Sequence, residues 1–257
     1  MLIEMSDVGV RVVELRERRR RGKLPTFLGQ KVKARAWPLR HLDFTLAAGQ
    51  AVAVIDVDSD RPGVFLRIAT GLLRPDEGTV SLPPRSLLAM TPRRKTIRSL
   101  SVGQTVRMVA GLYGLNDRMV NRRFDEIVAF AEVERQLHRR SESQSKHVIA
   151  QIAFAAAVCS PADVIAFDGN AAVGPPPFKE KCYSRLTELK DAGRGLLIAT
   201  TDARQIKTVA DHGLVLAGES SRVLAVDEFT TVVTDHKQGR TQLRKARKKR
   251  KKRDGDD

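Results

Sequence analysis

The stretch of residues 49–80 constrains the fold of this chain more than any other part of its sequence. Residues 51–55 form a short, continuous apolar run whose length is typical of a buried β-strand. Residues 64–73 carry apolar side chains at helical spacing, which predicts a helix with one buried face. This order of strand, loop and helix is the setting in which proteins form a phosphate-binding loop.

The loop between that strand and that helix lacks the residues that bind phosphate. A working loop reads G-x-x-x-x-G-K-[ST], because its glycines let backbone N–H groups surround the phosphates, its lysine contacts the β and γ oxygens, and its hydroxyl holds Mg²⁺. Three carboxylates in the present loop would repel a triphosphate, and a proline removes a backbone donor. The loop consists of Asp56, Val57, Asp58, Ser59, Asp60, Arg61, Pro62, Gly63 and Val64.

Three further segments carry a specific resemblance: LLRPDEG at residues 72–78, FDEIVAFAEV at residues 124–133 and AVGPPPFKEKC at residues 172–182. On these segments the chain resembles the nucleotide-binding subunit of ABC transporters, in the branch that serves capsular polysaccharide, O-antigen and teichoic acid exporters. The resemblance covers roughly residues 1–225. It implies an α/β, ABC-type P-loop NTPase-like fold with a mostly parallel sheet core, an antiparallel β edge and a helical subdomain.

The residues alone support the same fold class, because strands and helices alternate along the chain and the strands are continuous apolar runs. A chain of 257 residues is long enough to bury one full α/β core. We expect an ABC ATPase-like domain over residues 1–236, with its helical subdomain at about residues 98–160, and a basic tail over residues 237–257.

The resemblance also places the other nucleotide-site positions, and most of them carry an unsuited residue. His147 stands at the family's signature glycine, where its imidazole would obstruct a γ-phosphate held by the opposing subunit. Asp168 stands at the Mg²⁺-organising aspartate, but Gly169 replaces the glutamate that polarises the attacking water. Thr201, preceded by Thr200, takes the place of the switch histidine. We therefore expect no catalytic residue, no metal site and no cofactor.

Three local expectations concern Trp37 and two segments that contain proline. Trp37 is a candidate for the aromatic residue that stacks on adenine in that family, although a lone tryptophan before a strand is more often packed. Residues 14–30 are predicted to be a charged surface loop that ends in Pro25 and Gly29. Residues 175–177 are three prolines, which we expect to stiffen a loop.

Residues 100–115 match the exporter family's helix-opening pattern, with Ser101 as the N-cap and Gln104 at the capping-box position. In that family this region contacts the membrane subunit. The resemblance therefore implies a docking surface that includes Ser101, Gln104, Arg107 and Arg118. The implied partners are a transmembrane exporter subunit and a second nucleotide-binding subunit, either another copy of this chain or an intact one.

The formal charge of +16 and the pI of about 10.4 favour polyanionic partners. Residues 237–257 hold eleven Lys/Arg and three Asp, so +8 of that charge comes from the tail. The tail lacks apolar periodicity, which predicts disorder. On a subunit held at the cytoplasmic face of a bilayer, such a tail would lie near anionic lipid headgroups.

The cysteine content and the hydropathy of the chain argue against a secreted disulfide-bonded protein and against a membrane-spanning protein. Only Cys159 and Cys182 are present, which argues against a secreted disulfide framework and fits a reducing cytosol. The longest apolar run, residues 149–159, is too short to span a bilayer, and no signal-peptide pattern opens the chain. We expect a cytoplasmic protein that is peripheral on the inner face of the cell membrane.

Three functions remain open on the sequence. A noncatalytic ABC-type subunit of a polysaccharide exporter fits best, because the replaced positions are so numerous. An ATPase that energises capsular polysaccharide export would need ATP, Mg²⁺ and an unorthodox phosphate site built from Arg61, Arg93 or Lys95. A basic nucleic-acid-binding protein is motivated by the tail and the pI, but the chain has no recognisable reading helix or aromatic-bearing sheet.

Overall fold

The structure is a computed structural model that describes residues 1–17, 31–56, 62–217 and 220–238, without the side chains of residues 13–17, 31–35 and 94. Within these ranges the strands are β1 (Ile3–Glu17), β2 (Lys31–Leu46), β3 (Ala51–Asp56), β4 (Glu77–Ser81), β5 (Ser86–Ala89), β6 (Val164–Asp168), β7 (Gly195–Ala199), β8 (His212–Ala217) and β9 (Ser220–Ala225). The helices are α1 (Gly63–Ala69), α2 (Arg94–Ile97), α3 (Val102–Leu112), α4 (Asp117–Ala131), α5 (Lys146–Val158), α6 (Pro176–Asp191), α7 (Ala203–Val209) and α8 (residues 226–238).

The described strands form two sheets. The larger has the order β5-β6-β7-β3-β8-β9 and is parallel except where β9 pairs with β8. The smaller is an antiparallel sheet with the order β2-β1-β4. The predicted fold class, a mostly parallel core with an antiparallel edge and helices, is confirmed.

Successive residues of the parallel strands face opposite cores, as a period of two requires. In β7, Leu197 packs with α1 and the antiparallel sheet, whereas Leu196 and Ile198 pack with α3 to α6. The Phe65 ring on α1 meets the Phe44 ring on β2 edge to face, with 5.1 Å between centroids. Helix α1 is therefore held between the two sheets.

Helix α8 closes a third cluster against β3 and β8. Its Phe229 and Val233 are buried together with Ile55 and Val215. The Phe229 ring lies where a side chain on β8 would otherwise stand, because a β-carbon built on Gly213 would overlap Phe229 Cγ. This packing fixes the course of α8 along the sheet.

The helices of residues 102–158 begin with side-chain caps. Ser101 Oγ accepts from the Gln104 N–H at 3.1 Å, and Gln104 Oε1 accepts from the Ser101 N–H at 2.8 Å, so the predicted capping box is confirmed. Asn116 Oδ1 caps α4 by accepting from the Met119 N–H at 3.0 Å. Ser145 Oγ caps α5 by accepting from the Val148 N–H at 3.3 Å.

Two loop predictions were wrong. Residues 14–17 belong to β1, because its antiparallel pairing with β2 continues to Glu17 and Lys31 and satisfies their backbone groups. The rest of the predicted loop, residues 18–30, lies outside the described residues. Pro176 and Pro177 open α6 rather than stiffening a loop, because the first turn of a helix needs no N–H donor and proline already has a helical φ.

Cys159 and Cys182 are both free and buried. Desolvation by burial is the largest cause that raises the pKa of Cys159 to about 12 and that of Cys182 to about 11. Over the described ranges, no helix combines the length and the apolar character that crossing a bilayer would require. Helix α8 continues to residue 238, and the remainder of the predicted tail lies outside the described residues.

Candidate functional site

The residues that follow β3, β6 and β7 meet at one edge of the parallel sheet. Because these strands run in the same direction, their carboxyl ends share that edge, where α/β proteins usually bind ligands. A cavity of about 240 Å³ opens there. It is lined by Val54, Ile55, Asp56, Pro62, Gly169, Asn170, Ala199, Thr200, Thr201 and His236.

Four predicted site positions line this cavity: Asp56, Pro62, Gly169 and Thr201. Asp56 is buried at the end of β3, and Thr201 is exposed beyond the end of β7. Among the residues that the structure describes, the lining includes neither lysine nor arginine. Asp58, Asp60 and Arg61 lie outside the described residues.

Helix α1 begins beside the cavity without a side-chain cap. Pro62 is its N-cap residue, and Gly63 and Val64 open the helix. A β-carbon built on Gly63 would lie 3.3 Å from Arg67 Nη1 and 3.6 Å from Asp168 Oδ2. Gly63 is therefore a bare glycine between the guanidinium of Arg67 and the carboxylate of Asp168.

Asn170 and Thr200 form a hydrogen-bonded pair in the cavity wall. The buried Thr200 Oγ1 donates to Asn170 Oδ1 at 2.6 Å and accepts from the Asp202 N–H at 3.1 Å. In the amide orientation that satisfies both of its groups, Gln205 accepts from the Ala171 and Ala172 N–H groups at 3.0 and 3.1 Å. These bonds hold the segment after β6 against the start of α7.

The sequence analysis missed Asn170, Arg67 and His236. Asn170 lies two residues beyond the predicted Asp168. Its polar amide group at that position was the feature of the sequence that could have indicated a site residue. Arg67 lies one turn after Gly63 and donates from Nη1 to the Gly63 carbonyl at 3.3 Å, a pair that i, i+4 spacing could have indicated. His236 reaches the cavity only because of the packing of α8, which no local pattern predicts.

His147 and Asp168 do not line the 240 Å³ cavity. His147 is exposed in the first turn of α5, on a different element from the residues around the cavity. Asp168 is the exposed last residue of β6 and lines a second, smaller cavity of about 30 Å³. Among the described residues, no group of three or more His, Cys, Asp or Glu could hold a metal ion.

Two basic residues of the ATPase hypothesis, Arg93 and Lys95, and the candidate adenine-stacking residue do not line the 240 Å³ cavity. Arg93 and Lys95 are exposed at α2. The guanidinium groups of Arg11 and Arg40 lie 5.2 and 4.6 Å from the centroid of the Trp37 ring. Both guanidinium groups are close enough for cation–π contact with the Trp37 ring.

The predicted docking residues lie on the first two long helices of the helical region. Arg107 Nη1 donates to Asn121 Oδ1 at 2.6 Å, and its guanidinium lies 4.4 Å from the centroid of the Phe124 ring. Arg118 is exposed one turn before Asn121, so both arginines flank the same side of α4. The side chains of Ser101 and Gln104 form the capping box at the start of α3.

Leu112 is 70% exposed at the end of α3, as single apolar residues on protein surfaces often are. We call Arg107 and Arg118 the α3–α4 surface.

No protein-family model matches the chain. The teichoic acids export ATP-binding protein TagH of Listeria innocua is 24% identical over 202 residues, which are 75% of this chain and 60% of that protein. The O-antigen export system ATP-binding protein RfbB of Klebsiella pneumoniae is 23% identical over 210 residues, which are 81% of this chain and 85% of that protein. The matched part of the chain spans between 38% and 60% of the length of this and other TagH relatives.

Solved structures share the fold. The ATP-binding subunit of an ABC transporter superposes with a TM-score of 0.66 at 18% identity, over 91% of this chain and 100% of that one. A dimeric ATP-binding cassette in a post-hydrolysis state, bound to ADP and Pi, superposes with a TM-score of 0.63 at 15% identity. That match covers 86% of this chain and 98% of the other.

Proposed function

We propose that this chain, which has the fold of an ATP-binding cassette and homologues among the ATP-binding subunits of teichoic acid and O-antigen exporters, is a noncatalytic subunit of a polysaccharide exporter. One observation supports the loss of catalysis most directly. The edge of the sheet where a cassette would hold triphosphate carries Asp56 and Pro62, and no lysine or arginine lines its cavity within the described ranges.

The replaced nucleotide-site residues are too numerous for the remaining residues to compensate for them. Removing one preorganised charge stabiliser typically lowers a rate by a factor of about 10²–10³. Here the loop ends in Pro62, Gly63 and Val64, without the lysine and the hydroxyl of the G-x-x-x-x-G-K-[ST] pattern. Gly169 has no side chain that could act as a general base. Because each group acts on the same transferred phosphoryl, their combined absence removes a hydrolytic route within this subunit.

A scaffold that docks on a membrane subunit would still be useful to an exporter. The α3–α4 surface offers two exposed arginines, and arginine is a residue type enriched at protein interfaces. We propose that it contacts a transmembrane exporter subunit at the cytoplasmic face of the cell membrane. We further propose that the chain pairs with a second copy of itself or with an intact nucleotide-binding subunit.

Reversing the charge of the α3–α4 surface tests this function. The variant R107E with R118E is expected to abolish co-purification with the membrane subunit, because the interface would meet carboxylates in place of cations. The measurement is recovery of the membrane subunit with the tagged chain in detergent. The matched control, R74E with R222E, makes the same charge change at exposed arginines outside the α3–α4 surface. Equal recovery with both variants would contradict the assignment.

The basic tail is proposed to strengthen attachment to the anionic inner leaflet. Each Lys or Arg near such a surface contributes about 1 kcal/mol within a Debye length. In a flotation assay, the full chain is expected to bind vesicles that contain anionic lipid and not neutral vesicles, and salt should weaken this binding. A chain that ends at residue 238 should lose it. Retained binding of the shortened chain, or equal binding to both vesicles, would place the affinity elsewhere.

A further inference from the structure

The amino edge of the parallel sheet, opposite the cavity, carries arginines from four separate segments, which we call the arginine cluster: Arg85, Arg123, Arg185 and Arg194. Arg85 and Arg194 directly precede β5 and β7, and Asp163 directly precedes β6, which lies between those strands. The Asp163 N–H donates to the Arg85 carbonyl at 2.7 Å, and the Gly195 N–H donates to the Asp163 carbonyl at 2.9 Å. Arg123 on α4 and Arg185 on α6 join this row from the helices.

The guanidinium groups of the arginine cluster lie close enough to repel one another. Desolvation by partial burial is the largest cause that lowers the pKa of Arg194, and the positive charges of the other three arginines lower it further. The negative charge of Asp163 acts in the opposite direction. Because like charges that are held together destabilise one another, an anion beside them would be bound favourably.

Three carboxylates balance only part of this positive charge. The ion pairs are Asp163 with Arg85, Glu126 with Arg123 and Arg185, and Glu188 with Arg185. Their N–O distances lie between 2.9 and 4.0 Å. Arg194 forms no ion pair with any residue of the described ranges. Four guanidinium charges therefore face three carboxylate charges, and Arg194 is the cation without a carboxylate partner.

Several donors of the arginine cluster are not used by the protein. Arg194 Nη1 donates to the Ser160 carbonyl at 2.8 Å, and the other four of the five N–H groups in its guanidinium have no partner among the described residues. Arg185 Nε is buried and also lacks a described partner, which is costly for a polar group. The carbonyl end of α5 attracts cations, which explains the bond to Ser160. It does not explain the unused donors.

A phosphate group fits these donors better than a planar anion does. The guanidinium groups of Arg123, Arg185 and Arg194 belong to three different segments, so they approach a common ligand from different directions. A tetrahedral phosphate presents oxygens in several directions, whereas a carboxylate presents two oxygens in one plane. Guanidinium groups also form paired, charge-assisted hydrogen bonds with phosphate. The free donors and the excess charge at Arg194 therefore favour a ligand that carries phosphate.

We propose that the arginine cluster binds a phosphate group at the amino edge of the sheet, with Arg194 as the principal donor and with Arg185 and Arg123 beside it. The ligand is inorganic phosphate or the terminal phosphate of a larger molecule, since both present the same oxygens. The binding requires neither an exporter partner nor the replaced nucleotide-site residues, which lie elsewhere on the chain. Because Arg123 and Arg185 are partly exposed, binding is expected to be weak, with a Kd of about 1 mM.

Nuclear magnetic resonance of the arginine side chains tests this site in the full chain. The variants R194K and R185K assign the Nε–Hε signals of Arg194 and Arg185. Sodium phosphate is then added at neutral pH while sodium chloride keeps the ionic strength constant. We expect the Arg194 signal to shift along a saturating curve whose midpoint is about 1 mM phosphate. The signal of an exposed arginine outside the cluster, such as Arg74, should shift without saturation.

Parallel titrations distinguish the two sources of phosphate. If glycerol phosphate saturates the Arg194 shift at a similar concentration, the site takes the terminal phosphate of a larger molecule. If only inorganic phosphate does so, the site takes the free ion. Acetate is the planar control and should bind about tenfold more weakly. Equal saturation by acetate, or an Arg194 shift that stays linear in both phosphates, would overturn the proposal.

Matched variants complete the test, with the Arg185 signal as the reporter. R194Q should weaken phosphate binding about tenfold, whereas R74Q, which removes an exposed arginine outside the cluster, should leave it unchanged. R194K keeps the charge without the planar fork and should give an intermediate affinity, and it replaces R194Q if that variant does not fold. A midpoint that neither substitution of Arg194 changes would show that Arg194 is not a donor to phosphate.

Discussion

The purified protein is expected to show no saturable MgATP binding with a Kd below about 100 µM, and no ATP hydrolysis above the rate in buffer. We expect neither activity because of the residues at the start of α1 and in the adjacent cavity. Pro62 cannot donate a backbone hydrogen bond, Gly63 has no hydroxyl for Mg²⁺, and Asp56 adds a carboxylate to the cavity. Titration calorimetry and a phosphate-release assay measure the two quantities.

An ATPase that keeps the lysine-containing loop serves as the positive control for both measurements. Saturable binding of MgATP to the present chain would favour the alternative, an ATP-hydrolysing exporter subunit with an unorthodox phosphate site. A second experiment would then be needed at Arg67, since its guanidinium is near the Gly63 position. An R67A variant that lost such binding would identify Arg67 as the substitute cation.

Replacing Phe229 by alanine is expected to lower the free energy of unfolding by about 3–5 kcal/mol. The Phe229 ring is completely buried and fills the space left by the absent side chain of Gly213. Alanine would leave a cavity that Gly213 cannot fill. Urea unfolding followed by circular dichroism gives the free energy.

Thr231→Ala on the same helix is the matched control for this substitution. Thr231 is exposed, so its replacement should change the free energy of unfolding by no more than about 0.5 kcal/mol. A loss below about 1 kcal/mol for F229A would mean that α8 contributes little to the fold. The contact that brings His236 to the cavity would then also be in doubt.

Hydrophobic pattern predicted the fold well because the pattern and the packing agree along most of the chain. Residues 51–55 were predicted to be a strand, and β3 is buried throughout Ala51–Asp56. The resemblance to exporter subunits is confirmed by the homologues and by the shared fold. The extension of β1 to Glu17 was missed because charged residues obscure the strand pattern where backbone pairing with β2 maintains the strand.

The sequence predicted which residues lie at the candidate site, but it did not predict the contacts between them. Asp56, Gly169 and Thr201 meet because each lies at or just beyond the carboxyl end of a strand of one parallel sheet, which the sequence order implies. The bond between Thr200 and Asn170 depends on two segments 30 residues apart. His236 depends on how α8 packs across β8. Such contacts arise from tertiary structure, on which local residue patterns carry no information.

The position of β3 in the middle of the parallel sheet has a consequence for synthesis of the chain. Its two neighbours are β7 and β8. Val54 can therefore pair only after Ala199 and Leu214 have been synthesised, and these residues lie about 150 residues further along the sequence. At a translation rate of about 5–20 residues per second, that interval is roughly 8–30 s. During this time an apolar strand emerges from the ribosome without its partners. Cotranslational chaperones are therefore expected to bind nascent chains of this protein between the appearance of β3 and that of β8.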